Sequence, residues 1–142
     1  MYILDTNTLS ESMRPDLNPR VAGWFDRHEE DDMYISVVSF GEIARAIEKL
    51  PVETKRRGLE MWLAALRERF KDRSLIIDSD IAITWGKLRW HSEMRGRPPA
   101  MADLMIAATA LRHGFRVVTR NVKDFEPFGV SVINPWDDEN GA

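Results

Sequence analysis

The sequence of 142 residues contains no cysteine, only three histidines, and no apolar run near the ~18 residues of a membrane span. Each absence closes off a class of function. Without cysteine there is neither a disulfide framework nor a thiolate metal or redox site, and the chain suits a reducing compartment. His28, His91 and His113 form no H-x-x-x-H pair, so a helical zinc site is not indicated. The phosphate loops G-x-x-x-x-G-K-[ST] and G-x-G-x-x-G and the nucleophile elbow G-x-S-x-G are missing too, which argues against those nucleotide-binding and serine-hydrolase classes. Met1 runs straight into Tyr-Ile-Leu-Asp with no basic leader segment. These features lead us to expect a cytoplasmic protein with no membrane association. An excess of one charge is also lacking: 20 Lys and Arg face 23 Asp and Glu, and a net of −3 does not by itself suggest a polyanionic partner.

What is present is a composition of 44% hydrophobic and 30% charged residues, which fits one globular domain, expected over residues 1–136, with a polar tail at 137–142. The charge is unevenly spread. Residues 45–97 carry 13 Lys and Arg against 8 Asp and Glu, whereas the remainder carries 7 against 15. Short β-rich runs at Tyr2–Leu4, Met33–Val38, Ser74–Ile77, Phe115–Thr119 and Val130–Ile133 alternate with helical patterns. A polar turn follows Asp5. Asn18-Pro19 then resembles an N-cap with Pro at N1, and Ser39-x-x-Glu42 has the form of a capping box. Leu59, Trp62, Leu63, Leu66 and Phe70 recur at helical spacing. Ile81, Trp85, Leu88 and His91 line a further helix, and Gly114 suits a C-cap. About five strands alternating with helices predict an α/β sandwich on a mostly parallel sheet.

In such sheets ligands bind outside the carboxyl ends of the strands. Asp5 stands there, although an Asp after a strand can equally cap a helix. A capping box would account for Glu42 by itself. Asp103 is harder to explain, because Ala100–Leu111 is apolar on all sides except for Asp103 and Thr109. A helix of that kind is normally buried, and a buried carboxylate needs a cation or strong donors. Asn121 and Asp124 follow the fourth β-rich run, where either could serve a turn. Acids from separated segments that converge at one sheet edge would suit a hard divalent cation with oxygen ligands.

Ile3-Leu4-Asp5-Thr6-Asn7, Ser36-Val-Val-Ser-Phe-Gly-Glu42-Ile43, Arg97-Pro-Pro-Ala-Met-Ala-Asp103-Leu-Met-Ile-Ala-Ala108 and Val118-Thr119-Arg120-Asn121 with Asp124-Phe125 resemble, in order and spacing, the PIN domain. The short chain and the closing Ile133-Asn134-Pro135-Trp136 are similar to its VapC/FitB toxin branch. The resemblance implies a three-layer α/β/α fold and a Mg²⁺- or Mn²⁺-dependent endoribonuclease. It places Asp5, Glu42 and Asp103 at the metal and Asn121 where the family commonly has a fourth acid, a departure that Asp124 could offset. It further implies a homodimer inhibited by a small antitoxin, with DNA bound only through the toxin–antitoxin complex.

RNA affinity would then come from the basic middle, with Lys55, Arg56, Arg57, Arg67, Arg69, Lys87, Arg95 and Arg97 as candidate phosphate contacts. Single-stranded or loop RNA is the expected target. Two other readings stay open. A Mg²⁺-dependent phosphohydrolase could use an Asp nucleophile after the first strand, but Asn7 replaces the second acid that it wants. A degenerate PIN module could bind RNA without cutting it. A receiver-like module fits less well, since Asp5 has no adjacent acidic partner.

Overall fold

The computed structural model describes residues 1–137. Five short strands, β1 (Tyr2–Leu4), β2 (Met33–Ser36), β3 (Ser74–Leu75), β4 (Arg116–Val118) and β5 (Val132–Ile133), form one sheet in the order β3-β2-β1-β4-β5. Every neighbouring pair is parallel. The helices are α1 (Thr6–Ser12), α2 (Pro19–Arg27), α3 (Val37–Glu48), α4 (Glu53–Arg69), α5 (Ser79–Met94), α6 (Met101–His113) and α7 (Val122–Phe125). Successive side chains of a strand point to opposite faces, so Ile3 and Val117 enter one core while Leu4 and Val118 enter the other.

The first core gathers Leu9, Trp24, Ile43, Ile47, Leu66 and Phe70 from α1 to α4 and its C-terminal end. The second gathers Leu104, Ile106, Ala107 and Ala110 of α6 with Phe125 and Phe128. Two helical layers thus sandwich the sheet, as the PIN-like α/β/α expectation requires. Burying side chains such as Ile3 and Ile106 contributes ~1.5–3 kcal/mol each. No helix among the described residues is long and apolar enough to cross a membrane.

Local signals explain most boundaries. The Asn18 side chain accepts from the Arg20 N–H ahead of Pro19, Asp78 accepts from the Ile81 N–H, and Gly114 closes α6 at φ 70°. Other expectations need correction. The segment after Asp5 is helix α1 and not a polar turn, because Asp5 caps it and Leu9 anchors it in one turn, too short a pattern for periodicity to reveal. The capping box at Ser39 and Glu42 does not form. Ser36 ends β2 and accepts from the Val38 N–H, so α3 starts earlier and Ser39 lies buried inside it. The turn before β5 contains α7 and a 3-10 turn at Glu126–Phe128, held by buried Phe125 and Phe128. His91 lies exposed on the surface of α5 and His113 at the end of α6, as helix-surface and helix-end residues. Of the expected tail, residues 138–142 lie outside the described residues.

Candidate active site

Strand order places β1 at the centre, with β2 and the later β3 on one side and β4 and β5 on the other. The sheet therefore switches direction beside β1, where parallel sheets open a crevice at their carboxyl ends. Asp5 is the residue after β1 and is 2% exposed. Its Oδ1 accepts from the Thr8 N–H at 2.8 Å, and the Thr8 hydroxyl lies 2.7 Å from the same oxygen. Its Oδ2 accepts from the Thr119 hydroxyl, which comes from the end of β4. The cap and the site are thus one side chain. Burial pushes the Asp5 carboxyl up, while the Thr119 and Thr8 donors pull against that rise.

Glu42 stands in the second turn of α3, half-buried. The Thr6 hydroxyl donates to its Oε1, and Ser39 Oγ lies 3.0 Å from Thr6 Oγ1. A hydroxyl has one proton, so Thr6 gives its own to Glu42 and receives from Ser39. Asp103 lies in the first turn of α6, behind Ala100, which offers no side-chain cap. Residues 104–110 are buried all round as the sequence predicts, but Asp103 itself is only half-buried. Burial, then the charges of Asp5, Glu42 and Asp124, push its carboxyl up to about 6. No Lys or Arg forms an ion pair with it among the described residues.

Asp5, Glu42 and Asp103 therefore converge, and Asp124 in α7 joins them near enough for its charge to be felt at Asp103. Asn121 donates its backbone N–H to Thr119 Oγ1 at 3.0 Å, and its side-chain amide has no hydrogen bond among the described residues. Among the described residues none of the four carboxylates forms an ion pair with Lys or Arg, and such a cluster is what a divalent ion would neutralise. Among the described residues no three acidic or histidine groups form a ready-made metal cage. The Asp5 oxygens already accept several bonds. The arrangement fits a hard ion that keeps much of its water shell and takes one or two direct carboxylate ligands.

The basic residues divide. Arg56, Arg57 and Arg69 are engaged by Glu48, Glu53 and Glu30. Arg95 and Arg97 line a pocket of about 320 Å³ with Lys123 and Asp124, next to the acids. The sequence reading assigned no role to the hydroxyls of Thr6, Thr8, Ser39 and Thr119. Thr119 carried a usable signal, since it follows β4 as Asp5 follows β1; the Thr6 to Glu42 contact joins α1 to α3 and had none.

Comparison with known proteins agrees with this fold. The family model described as PIN domain matches residues 2–127. The chain is 34% identical over 139 residues to toxin FitB of Neisseria gonorrhoeae, covering 97% of this chain and 100% of that protein. It is 30% identical over 138 residues to the VapC ribonuclease Y4jK of Sinorhizobium fredii, covering 96% and 99%. The solved structure of FitAB bound to an IR36 DNA fragment aligns with 98% of each chain at 34% identity and a TM-score of 0.87. With sequence, fold and relatives in agreement, the chain belongs to the PIN domain family and is homologous to the FitB and VapC toxins.

Proposed function

We propose that this chain is a Mg²⁺- or Mn²⁺-dependent endoribonuclease, the toxin of a toxin–antitoxin pair, with residues 1–136 working as one domain in a cytoplasmic homodimer. The observation that carries the reading is the convergence of Asp5, Glu42, Asp103 and Asp124, none in an ion pair among the described residues, at the switch point of the sheet. Family membership and the ribonuclease name of the S. fredii relative support the nuclease class.

Asp5 and Asp103 would hold the ion, with Glu42 and Asp124 completing the negative field. A bound Mg²⁺ or Mn²⁺ supplies Lewis-acid polarisation of the phosphodiester and activates water for in-line attack. Thr119 and Thr8 keep the Asp5 carboxylate in one orientation. Thr6, fed by Ser39, turns Glu42 toward the crevice, where it orients the attacking water and can accept its proton. Asn121 leaves the family's fourth acidic position neutral, and Asp124, one turn further along, supplies the missing charge. Arg95, Arg97 and Lys123 sit where RNA phosphates would pass beside the acids.

Partners follow from the relatives. FitB is solved as FitAB bound to DNA, which supports a small antitoxin that carries DNA contact for the complex. A groove of about 440 Å³, with Leu9, Leu17, Phe25 and Trp62 beside the polar Asp26 and Glu30, offers such a partner a mixed surface. A second reading, an RNA binder that does not cut, is favoured by Asn121 alone.

One assay separates these. The purified chain, freed of any antitoxin, is incubated with mixed RNA and Mg²⁺ or Mn²⁺, beside EDTA, Asp5→Asn and Asp103→Asn controls. Cleavage by the unaltered chain and its loss in all three controls is expected. Cleavage that persists in EDTA or in either variant would refute the metal-site reading. RNA retained but uncut would favour the binding module, and turnover of a phosphomonoester with no RNA cut would favour a phosphohydrolase.

A further inference from the structure

Beside the acidic crevice, on the β4–β5 side, lies a second and mainly polar pocket of about 460 Å³, lined by Asn7, Ser10, Glu11, Arg14, Arg120, Asn121 and Trp136. Its walls come from the carboxyl ends of β1, β4 and β5, so it opens on the same sheet edge as Asp5. The Arg120 guanidinium lies over the Trp136 ring, 5.5 Å from its centroid. Arg120 forms no ion pair with a carboxylate among the described residues. A guanidinium beside an indole face offers positive charge and an aromatic surface together, the kind of pairing on which unpaired bases stack.

Trp136 is held in place by its neighbours. Its N–H donates to Asn134 Oδ1 at 3.0 Å, its carbonyl accepts from Arg20 at 3.3 Å, and Pro135 before it is buried. The Ile-Asn-Pro-Trp run, which the acids do not explain, thus anchors the Trp136 backbone at the pocket wall. The same pocket is lined by Asn7 and Asn121, whose side-chain amides have no hydrogen bond among the described residues. Each amide offers one acceptor and two donors, the pattern that pairs with a base edge. Arg14, by contrast, is already engaged by Glu11 and Asp16.

We propose that this pocket is a nucleobase subsite, in which the base of a nucleotide flanking the scissile phosphate of single-stranded RNA lies on the Arg120 and Trp136 pair while Asn7 and Asn121 read its edge. The proposal rests on the nuclease reading and gives it a source of sequence preference. Splayed single-stranded bases are the form of RNA that such a platform accepts.

The test has two arms. Asp103→Asn protein, which should not cut, is titrated in Mg²⁺ with hexamers of A, C, G or U and with a hexamer abasic at its central positions. At least a fivefold spread among the four bases is expected, with the abasic hexamer weakest. Adding Trp136→Ala should weaken the preferred hexamer roughly tenfold and leave the abasic one unchanged, Trp136→Phe should restore most of the loss, and Asn7→Ala should narrow the spread. Asn7 is exposed, so its variant tests the pocket without threatening the fold. In the second arm the catalytically intact chain cuts a randomised RNA pool, and Trp136→Ala should flatten the base preference beside the cut while raising KM more than it lowers kcat. Equal binding of all five hexamers, or cleavage with no base preference in either chain, overturns the subsite and leaves the nuclease reading intact. Base-selective binding that depends on Trp136 without any cleavage keeps the subsite and overturns the nuclease.

Discussion

At neutral pH and without a metal ion, Asp103 bears its charge against three other carboxylates. Folded, it holds its proton up to about 6; an ordinary aspartate releases it near 3.8. Between those values the folded chain binds more protons than the unfolded one, so stability falls as pH rises through that window. Asp103→Asn should therefore raise the melting temperature in EDTA at pH 7.5, by on the order of 2–4 °C because water screens the half-exposed group. A melt at the same or lower temperature would contradict the repulsion. Protons and cation compete for the same oxygens, so added Mg²⁺ or Mn²⁺ should stabilise the chain at pH 7.5 and lose that effect by pH 5. Thermal melts across pH, with and without metal, read this directly. Thr119 makes a separate prediction. Thr119→Val removes a donor from buried Asp5 at a cost of about 1–3 kcal/mol and should lower kcat on RNA ~10-fold or more, whereas Thr119→Ser restores both.

Helix α3 shows how an element carries a site. Its start at Ser36 decides which side of the helix Glu42 occupies, and Thr6 of α1 meets it only because Asp5 caps α1 directly after β1. Ser36→Ala should cost ~1 kcal/mol in urea unfolding and also reduce cleavage, since the cap and the aim of Glu42 move together. Gly114→Ala provides the contrast. At φ 70° the added Cβ costs about 1–2 kcal/mol, but Gly114 lies at the far end of α6 from Asp103, so activity per folded molecule should be unchanged. Long amphipathic patterns and turn chemistry made α4, α5 and the Asn18 and Gly114 caps legible in the sequence. The helix α1 and the true start of α3 were not, because one hydroxyl or carboxylate near a boundary can cap either of two starts.

For the whole molecule, the net charge of −3 joins an acidic crevice to a basic flank. Arg95→Ala and Arg97→Ala should each reduce the salt slope of RNA binding by about 0.7, the value for one single-strand phosphate contact, while Arg57→Ala, engaged by Glu53, should leave it unchanged. Titrations at several NaCl concentrations give those slopes. By itself the sequence determined the alternation of strands and helices and the candidates Asp5, Glu42 and Asp103, because periodicity and residues at the ends of elements are local properties of a chain. Tertiary structure alone decided that Asp124 adds its charge beside Asn121, that four hydroxyls aim two of the acids, and that Asn7, Arg120 and Trp136 share a pocket. Those relations cross from strand to strand through a parallel sheet, whose neighbours are set by packing two cores and not by nearness along the chain.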